Sequence, residues 1–239
     1  MRLKAMLKMN FKELLPGFYG FIIALLIVDF LMPVIGYFFG QGWPSEKTLE
    51  SSLAFGMLEM MFFIMLAFVF FRNIARFAQF NVARKDQYWG NFLTIVISAV
   101  VTVIAFQVIY PLILSVAFEN LTTMKVMHFY DNEGINIVLH HLRTILTLIS
   151  TGLGAWIVAT LFKRFQTRYI VILGILLFII LPIILGISAV AIPETILTPI
   201  INKVVELYKQ PIPHFTYLVC DVLFTAILAK LFSRNLEVK

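Results

Sequence analysis

Six long apolar runs constrain this chain more than any other feature of its sequence. They cover residues 16–39, 53–71, 92–118, 142–162, 169–192 and 215–232. A helix needs about 20 apolar residues to cross the hydrocarbon core of a bilayer. The mean hydropathy of +0.94 and the charged fraction of 13% agree with membrane spans, since soluble domains carry roughly 25% charged residues. We therefore predict an all-α, polytopic membrane protein, with six transmembrane helices in a single transmembrane domain over residues 1–239.

The basic residues predict the direction of these spans. Six spans place the loops alternately on two sides, and 14 of the 19 Lys and Arg residues fall on the side of both termini. These are Arg2, Lys4, Lys8, Lys12, Arg72, Arg76, Arg84, Lys85, Lys163, Arg164, Arg168, Lys230, Arg234 and Lys239. The positive-inside rule places that side in the cytoplasm. The net charge of +6 is thus a topology signal, and we expect no nucleic-acid partner.

Two shorter segments have one apolar and one polar face. Residues 1–15 hold an apolar stripe beside a row of lysines, formed by Leu3, Leu7, Phe11 and Leu14 and by Lys4, Lys8 and Lys12. This pattern predicts an interfacial helix near anionic headgroups, the alternative being a basic flank that only sets topology. Residues 193–213 repeat Ile and Val at helical spacing, which predicts one or two short helices on the outer face between spans five and six. An ordinary surface-loop helix is the alternative there.

Residues 72–91, with the sequence RNIARFAQFNVARKDQYWGN, connect spans two and three on the predicted cytoplasmic side. The stretch is basic, aromatic and longer than a plain connection requires. One interpretation is a connector whose Tyr88 and Trp89 lie in the aromatic belt of the membrane. The other is a short amphipathic helix that offers Phe77 and Phe80 to a groove on a soluble partner.

This layout resembles the membrane subunit of an ATP-binding-cassette (ABC) exporter of the type-2 permease class. Such permeases have an N-terminal interfacial helix, six spans, a cytoplasmic coupling helix between spans two and three, and short outer helices between spans five and six. The stretch FAQFNVARKDQYWGNFL also resembles one that recurs in small permeases of Gram-positive bacteria, through Asn81, Val82 and Arg84, although Ala83 replaces Ser. The resemblance implies a multi-pass protein of the bacterial plasma membrane that exports amphipathic or antimicrobial-peptide-like cargo.

The same resemblance implies specific partners. The ATPase-coupling residues would be Phe77, Gln79, Phe80, Asn81, Val82, Arg84 and Lys85. The sequence contains no G-x-x-x-x-G-K-[S/T] loop. We therefore expect a permease subunit that is not an enzyme and binds no cofactor, with ATP and Mg on a separate ATP-binding-cassette ATPase. The class assembles two permeases with two ATPases, so a second permease copy or a sister permease is also expected.

Three acidic residues, Asp29, Glu59 and Asp221, fall inside predicted spans, all in the outer half of the bilayer. An ionisable side chain at that depth is costly and rarely faces lipid, which makes it a functional candidate. We treat the three as a candidate translocation path for cationic or amphipathic cargo. A proton site, or a hydrogen bond between helices with a partner such as Arg143, is the alternative for each.

Other patterns are weaker. Adjacent His140 and His141 are expected to point to different faces, so solvated histidines, with His128 and His214, are favoured over a metal site. Small residues recur four apart at Gly36 and Gly40 and at Ser150 and Gly154, a helix-packing pattern, and Pro33, Pro111 and Pro182 are expected to kink their spans.

Three other functions compete with ABC export. The main alternative is an ion- or proton-coupled secondary transporter that uses the intramembrane carboxylates, although no internal repeat supports it. An intramembrane enzyme would need a catalytic constellation that the sequence does not suggest. A membrane sensor or assembly factor is compatible with the same sequence.

Overall fold

The structure, a computed structural model, describes residues 2–40, 46–48, 53–80, 82–117, 120–122, 129–165 and 194–234. Within these ranges the helices are α1 (Arg2–Phe38), α2 (Leu53–Gln79), α3 (Arg84–Val103), a π-helical segment (Ile104–Ile109), α4 (Tyr110–Ala117), α5 (Glu133–Arg164), α6 (Glu194–Lys209) and α7 (Pro211–Arg234). Two strands of three residues, β1 (Glu46–Thr48) and β2 (Asn120–Thr122), complete these elements.

Five stretches of the described helices are long and apolar enough to cross a membrane. They are Leu3–Ile27, Met57–Phe77, Arg84–Ser115, Glu133–Arg164 and Pro211–Arg234. They overlap predicted spans one, two, three, four and six. The helical character expected from the sequence is thus confirmed, and these stretches are compatible with a multi-pass membrane protein. Predicted span five, residues 169–192, lies outside the described residues together with Pro182, and the count of six stays a prediction.

Helix α1 joins two segments that the sequence prediction separated. It runs from Arg2 through Pro16 to Phe38 without a break, so residues 2–15 and the first span form one helix. Gly40 then adopts a φ of 77°, and its amide donates to the carbonyl oxygen of Tyr37 at 3.1 Å. Glycine adopts this left-handed conformation without a Cβ penalty, which ends the helix. The interfacial position of residues 2–15 stays a prediction.

The core lies where α2, α3 and α5 meet, with α1 packed on α2 and α3 and with α7 packed on α5. Its fully buried side chains include Phe62, Leu66, Ile95 and Trp156. Among the glycines in the described ranges, Gly152 of α5 has the closest neighbours, since an added Cβ would lie 2.6 Å from Ile95 Cγ2 and 2.9 Å from Leu66 Cδ1. In lipid, apolar helices gain no hydrophobic free energy by associating. Close van der Waals packing of this kind therefore contributes much of the stability of their association.

A buried network of side-chain amides joins α1, α2 and α3. Asn73 Nδ2 donates to Asn10 Oδ1 at 2.8 Å, and Asn10 Nδ2 donates to Thr94 Oγ1 at 2.9 Å and to Asn91 Oδ1 at 3.3 Å. All four residues have no exposed surface. Beside them, Arg76 of α2 donates to the carboxylate of Glu13 on α1. Because unpaired amides are costly away from water, this network specifies one mutual arrangement of the three helices.

The third span contains the π-helical segment Ile104–Ile109, immediately before Pro111. The Tyr110 amide donates to the carbonyl oxygen of Ala105, five residues back. Proline lacks an amide hydrogen and clashes with the carbonyl of the residue four positions earlier, here Gln107. A π-helical turn relieves that clash, and such turns frequently occur at functional sites. The expected irregularity at Pro111 is thus a wider helical turn that carries Gln107 at its centre.

The remaining elements lie in the connections. Strand β1 pairs in parallel with β2, with Glu46 opposite Asn120 and Thr48 opposite Thr122, so the α1–α2 connection meets the α4–α5 connection. The all-α prediction did not include this pair. Helix α6 covers residues 194–209 of the predicted outer segment, and residues 211–213 already belong to α7. Whether α6 lies on the outer face of the bundle stays a prediction.

Candidate functional site

A polar cavity of about 480 Å³ lies between α2, the π-helical segment, α5, α6 and α7. Pockets that hold small ligands have volumes of roughly 300–1,000 Å³. The polar lining comprises Glu59, Gln107, His140, Arg143, Thr144, Thr147, Ser150, Thr151, Tyr208, Tyr217 and Asp221. A polar cavity between apolar helices is suited to bind a polar or charged ligand.

Most of that lining comes from one face of α5. The face consists of His140, Arg143, Thr144, Thr147, Ser150 and Thr151. Residues three or four apart share a helix face, and the eleven steps from first to last extend about 16 Å along the axis. This stripe was not among the sequence-based predictions. Its helical period is nevertheless visible in the sequence, because polar residues recur at that spacing within an otherwise apolar run.

Two of the three predicted intramembrane acids meet at this cavity. Glu59 comes from α2 and Asp221 from α7, two helices far apart in the chain. Asp221 is half-buried and accepts a hydrogen bond from Ser150 Oγ, so it makes a hydrogen bond between helices, with a partner that was not among those expected. Glu59 is exposed and makes no hydrogen bond or ion pair with any residue in the described ranges. The side chain of Asp29, the third predicted acid, lies outside the described residues.

The cavity carries charges of both signs. Arg143 lines it together with Glu59 and Asp221. A guanidinium and two carboxylates around one cavity favour a ligand with a cationic group beside an acceptor or anionic group, such as a peptide backbone that bears an ammonium. The hydroxyls of Thr147 and Thr151 add donors and acceptors next to them.

Gln107 joins the π-helical segment to α5. Its Nε2 donates to Thr144 Oγ1 at 2.8 Å and lies 3.5 Å from His140 Nε2, while its Oε1 contacts His141 Nδ1. The Thr144 hydroxyl in turn donates to the backbone carbonyl oxygen of His140 at 3.0 Å. The expectation that His140 and His141 point apart as solvated side chains is therefore corrected, because both rings are half-buried and reach one amide. Gln107 belongs to the π-helical turn between α3 and α4, so its side chain connects that turn to α5.

His214 is likewise buried rather than solvated. It lies in the first turn of α7 with 1% of its surface exposed. The Tyr208 ring contacts it edge-on, with centroids 4.2 Å apart, and the Phe129 ring lies 5.6 Å away. This aromatic cluster connects α6 and the residues before α5 to the start of α7, beside the part of the cavity that Tyr208 and Tyr217 line. His128, the fourth histidine, lies outside the described residues.

The predicted coupling segment forms the end of a helical hairpin. Residues 72–79 are the last two turns of α2, and α3 begins at Arg84, so the connection is only residues 80–83. One interpretation predicted a short separate helix here. That interpretation is wrong, because the segment consists of the end of α2, a turn and the start of α3. The Val82 amide donates to the carbonyl oxygen of Phe77 at 3.1 Å and closes the turn. We call residues 79–85 the hairpin tip.

The two predicted aromatic anchors differ in exposure. Phe77 is 2% exposed and packs inside the chain, whereas Phe80 is 72% exposed at the hairpin tip. Phe77 is therefore not available to insert into a partner. Gln79, Arg84 and Lys85 are exposed and Val82 is half-buried. Asn81 lies outside the described residues.

The hairpin tip is attached to the last helix. Arg84 donates from Nη1 to the backbone carbonyl oxygen of Arg234, the final residue of α7. The Tyr88 hydroxyl lies 3.4 Å from the carbonyl oxygen of Ala226 on the same helix. One end of α7 therefore contacts the hairpin, while Asp221 of the same helix lines the polar cavity.

Comparisons of this chain with known protein families, with curated proteins and with solved structures found no match.

Proposed function

We propose that this chain is the permease subunit of an ABC exporter of the type-2 class, powered by a separate ATPase subunit. The single observation that supports it most is the hairpin tip, where exposed Phe80 stands beside exposed Arg84 and Lys85. On the side predicted to be cytoplasmic, an exposed aromatic ring with cations around it suits a groove on a soluble subunit.

The proposed coupling follows two helices from the tip to the cavity. Gln79 ends α2, and Glu59 lies twenty residues earlier on the same helix, about 30 Å away. The contact between Arg84 and the end of α7 provides a second connection, towards Asp221. Closure of two ATPase subunits would move the tip, and helices of this length would transmit that motion as rigid elements to both cavity acids.

The proposed cargo is an amphipathic or antimicrobial-like peptide with cationic groups. Glu59 provides a carboxylate without a partner in the described residues, and Asp221 provides a second one that Ser150 orients. Charge-assisted hydrogen bonds to such carboxylates contribute about 1.5–3 kcal/mol each, enough to select an ammonium over a neutral group. Arg143, which lines the same cavity, would disfavour a purely polycationic segment. Outward transport is part of the proposal by resemblance to the class.

A secondary transporter coupled to protons or ions is a second candidate. The observation that favours it is the meeting of Glu59 and Asp221 with His140 and Arg143 in one cavity, since carboxylates and histidines form proton relays in transporters. The two candidates differ in their energy source. Uphill transport by the purified chain in vesicles without nucleotide would establish the secondary transporter and overturn ABC export.

The test of the coupling role is co-purification with an ATPase encoded beside this chain. Phe80→Ala should reduce the recovered ATPase at least about tenfold, because buried aromatic anchors contribute 2 kcal/mol or more to such interfaces. Phe165→Ala is the matched control, since Phe165 is also exposed, at the end of α5 on the same predicted side. Phe77→Ala is unsuitable, because truncation of a buried Phe costs about 3–5 kcal/mol of stability.

Full recovery of the ATPase with Phe80→Ala, or equal loss with Phe165→Ala, would contradict a coupling role for the hairpin tip. Both variants must also unfold at the same temperature as the wild type in detergent. This control distinguishes the loss of ATPase binding from the loss of the folded structure.

A further inference from the structure

Two adjoining cavities lie between α1 and α2, and neither shares a lining residue with the polar cavity. The first, of about 520 Å³, is lined by three cations, Lys12, Arg72 and Arg76, and by one acid, Glu13. The second, of about 250 Å³, has a mainly apolar lining that includes Leu14, Gly17, Ile64, Phe68 and Val69. Both are lined by Glu13 and Arg72, so a basic opening continues into an apolar groove.

The groove has the length of one membrane leaflet. Ile64, Phe68, Arg72 and Arg76 lie four residues apart and therefore form one stripe along α2. The twelve residues from Arg76 to Ile64 extend about 18 Å, against a hydrocarbon core about 30 Å thick. The stripe changes from cationic to apolar along that distance, as a lipid changes from headgroup to acyl chain.

Three cations and one acid line the opening, and Arg76 pairs with that acid, Glu13. Lys12 and Arg72 are the two further cations that can bind an anionic ligand. The Arg76 side chain is 35% exposed. Arg72 has its Nε 3.9 Å from the same carboxylate and is 61% exposed, and Lys12 is exposed. The Glu13 side chain is only 15% exposed, and its Oε2 is enclosed. The acid is therefore mostly enclosed, whereas Arg72 and Lys12 are exposed charges at the opening.

We propose that this groove binds one anionic phospholipid of the inner leaflet, with its phosphate on Lys12 and Arg72 and one acyl chain beside Phe68 and Ile64. Basic pockets between helices on the cytoplasmic side match the negative potential of that leaflet. A soluble phosphate would use the basic opening but not the apolar groove. The site does not depend on the proposed export function.

Native mass spectrometry of the full chain in detergent tests this site, with phosphatidylglycerol and phosphatidylcholine of identical acyl chains as probes. The wild type should retain phosphatidylglycerol in preference. Lys12→Ala with Arg72→Ala should weaken its apparent affinity about thirtyfold, since each cation near the lipid surface contributes about a fivefold factor. Lys230→Ala with Arg164→Ala is the matched control, because this Lys and Arg are also exposed, lie on the same predicted side and line neither cavity.

Three results would overturn the proposal. They are equal retention of the two lipids, equal loss in the control variant, and binding of glycerol phosphate as tight as that of phosphatidylglycerol. Both targeted side chains are exposed, so the double variant should fold, as thermal unfolding would verify. Should it not fold, Arg72→Gln alone is expected to weaken binding about fivefold, and an unchanged affinity would equally refute the site.

Discussion

Gly152 is, of the glycines that the structure describes, the one with the least space for a side chain. An added Cβ would lie 2.6 Å from Ile95 Cγ2, whereas at Gly154, one half-turn away, the nearest atom would be 3.9 Å distant on the ring of Phe63. The Gly154 member of the small-residue pattern seen in the sequence is thus not the one that governs packing. Glycine is required at position 152 because two neighbouring side chains occupy the space where a methyl group would stand.

We predict that Gly152→Ala unfolds more easily than Gly154→Ala. Both changes alter helix propensity by the same amount, so their difference isolates the steric clash, which should cost about 1–3 kcal/mol. Thermal unfolding in detergent measures this difference. A Gly152→Ala protein as stable as Gly154→Ala would show that α2, α3 and α5 are less tightly packed than described.

Asn10, Asn73 and Asn91 illustrate a second kind of residue-scale specificity. Each is fully buried, and together they connect three helices. In the sequence they lie near the ends of apolar runs, where asparagine is common and does not indicate a buried site. Their partners lie more than 60 residues away in the chain. No local pattern predicts such a network, because it exists only once the three helices have been brought together.

At the scale of elements, the polar cavity depends on how helices face one another. The α5 stripe supplies one wall, α2 and α7 bring Glu59 and Asp221 to it, and the π-helical segment supplies Gln107. A standard α-helix would direct the residues beyond Gln107 differently, since each π-helical turn contains an additional residue. The cavity is therefore a property of five elements together.

Glu59→Gln combined with Asp221→Asn should lower export of a cationic peptide at least about tenfold, because two charge-assisted contacts are lost. Export of a neutral analogue should be unchanged, since the substitutions keep side-chain size. Transport into inverted vesicles with the partner ATPase measures both. Glu206→Gln is the control, an exposed acid on α6 that does not line the cavity.

An equal fall for the neutral analogue would assign the two acids a structural role, as hydrogen-bonding groups between helices. Unchanged export of both peptides would remove the cavity from the path of the cargo.

At the scale of the whole molecule, orientation decides which surface meets which partner. Three surfaces lie on the side predicted to be cytoplasmic, where most of the Lys and Arg residues fall: the hairpin tip, the basic opening between α1 and α2, and the end of α7. The polar cavity and the connection before α5 lie towards the opposite side of the predicted bilayer. A proposal that places an ATPase on the hairpin requires that side to be cytoplasmic.

We predict that a cysteine at position 85 is labelled only from the cytoplasm and one at position 131 only from outside. The chain has a single cysteine, Cys220, so Lys85→Cys and Asp131→Cys would be made in a Cys220→Ser background. Both native residues are exposed. A membrane-impermeant maleimide applied to intact cells should label position 131, and position 85 only after lysis. The reverse pattern would contradict the orientation and the ATPase proposal together.

The sequence by itself determined the class of this protein and the approximate position of each described span. Long apolar runs can bury their backbone amides in lipid only as helices, so composition and length are sufficient for that prediction. It also identified Glu59 and Asp221, because a charge inside an apolar run is visible without a structure. The predicted helix boundaries were less accurate. The apolar run of the second span ends at residue 71, but the helix itself continues through the polar residues 72–79.

Only the tertiary structure decided which of these residues meet. It placed Glu59 and Asp221 on one cavity and both histidines of α5 on Gln107. It also placed Phe77 inside and Phe80 outside, and it paired β1 with β2. The physical reason is that helices associate in lipid through packing and interhelical hydrogen bonds. These depend on residues distant in the chain, whereas insertion depends on the hydropathy of each segment alone.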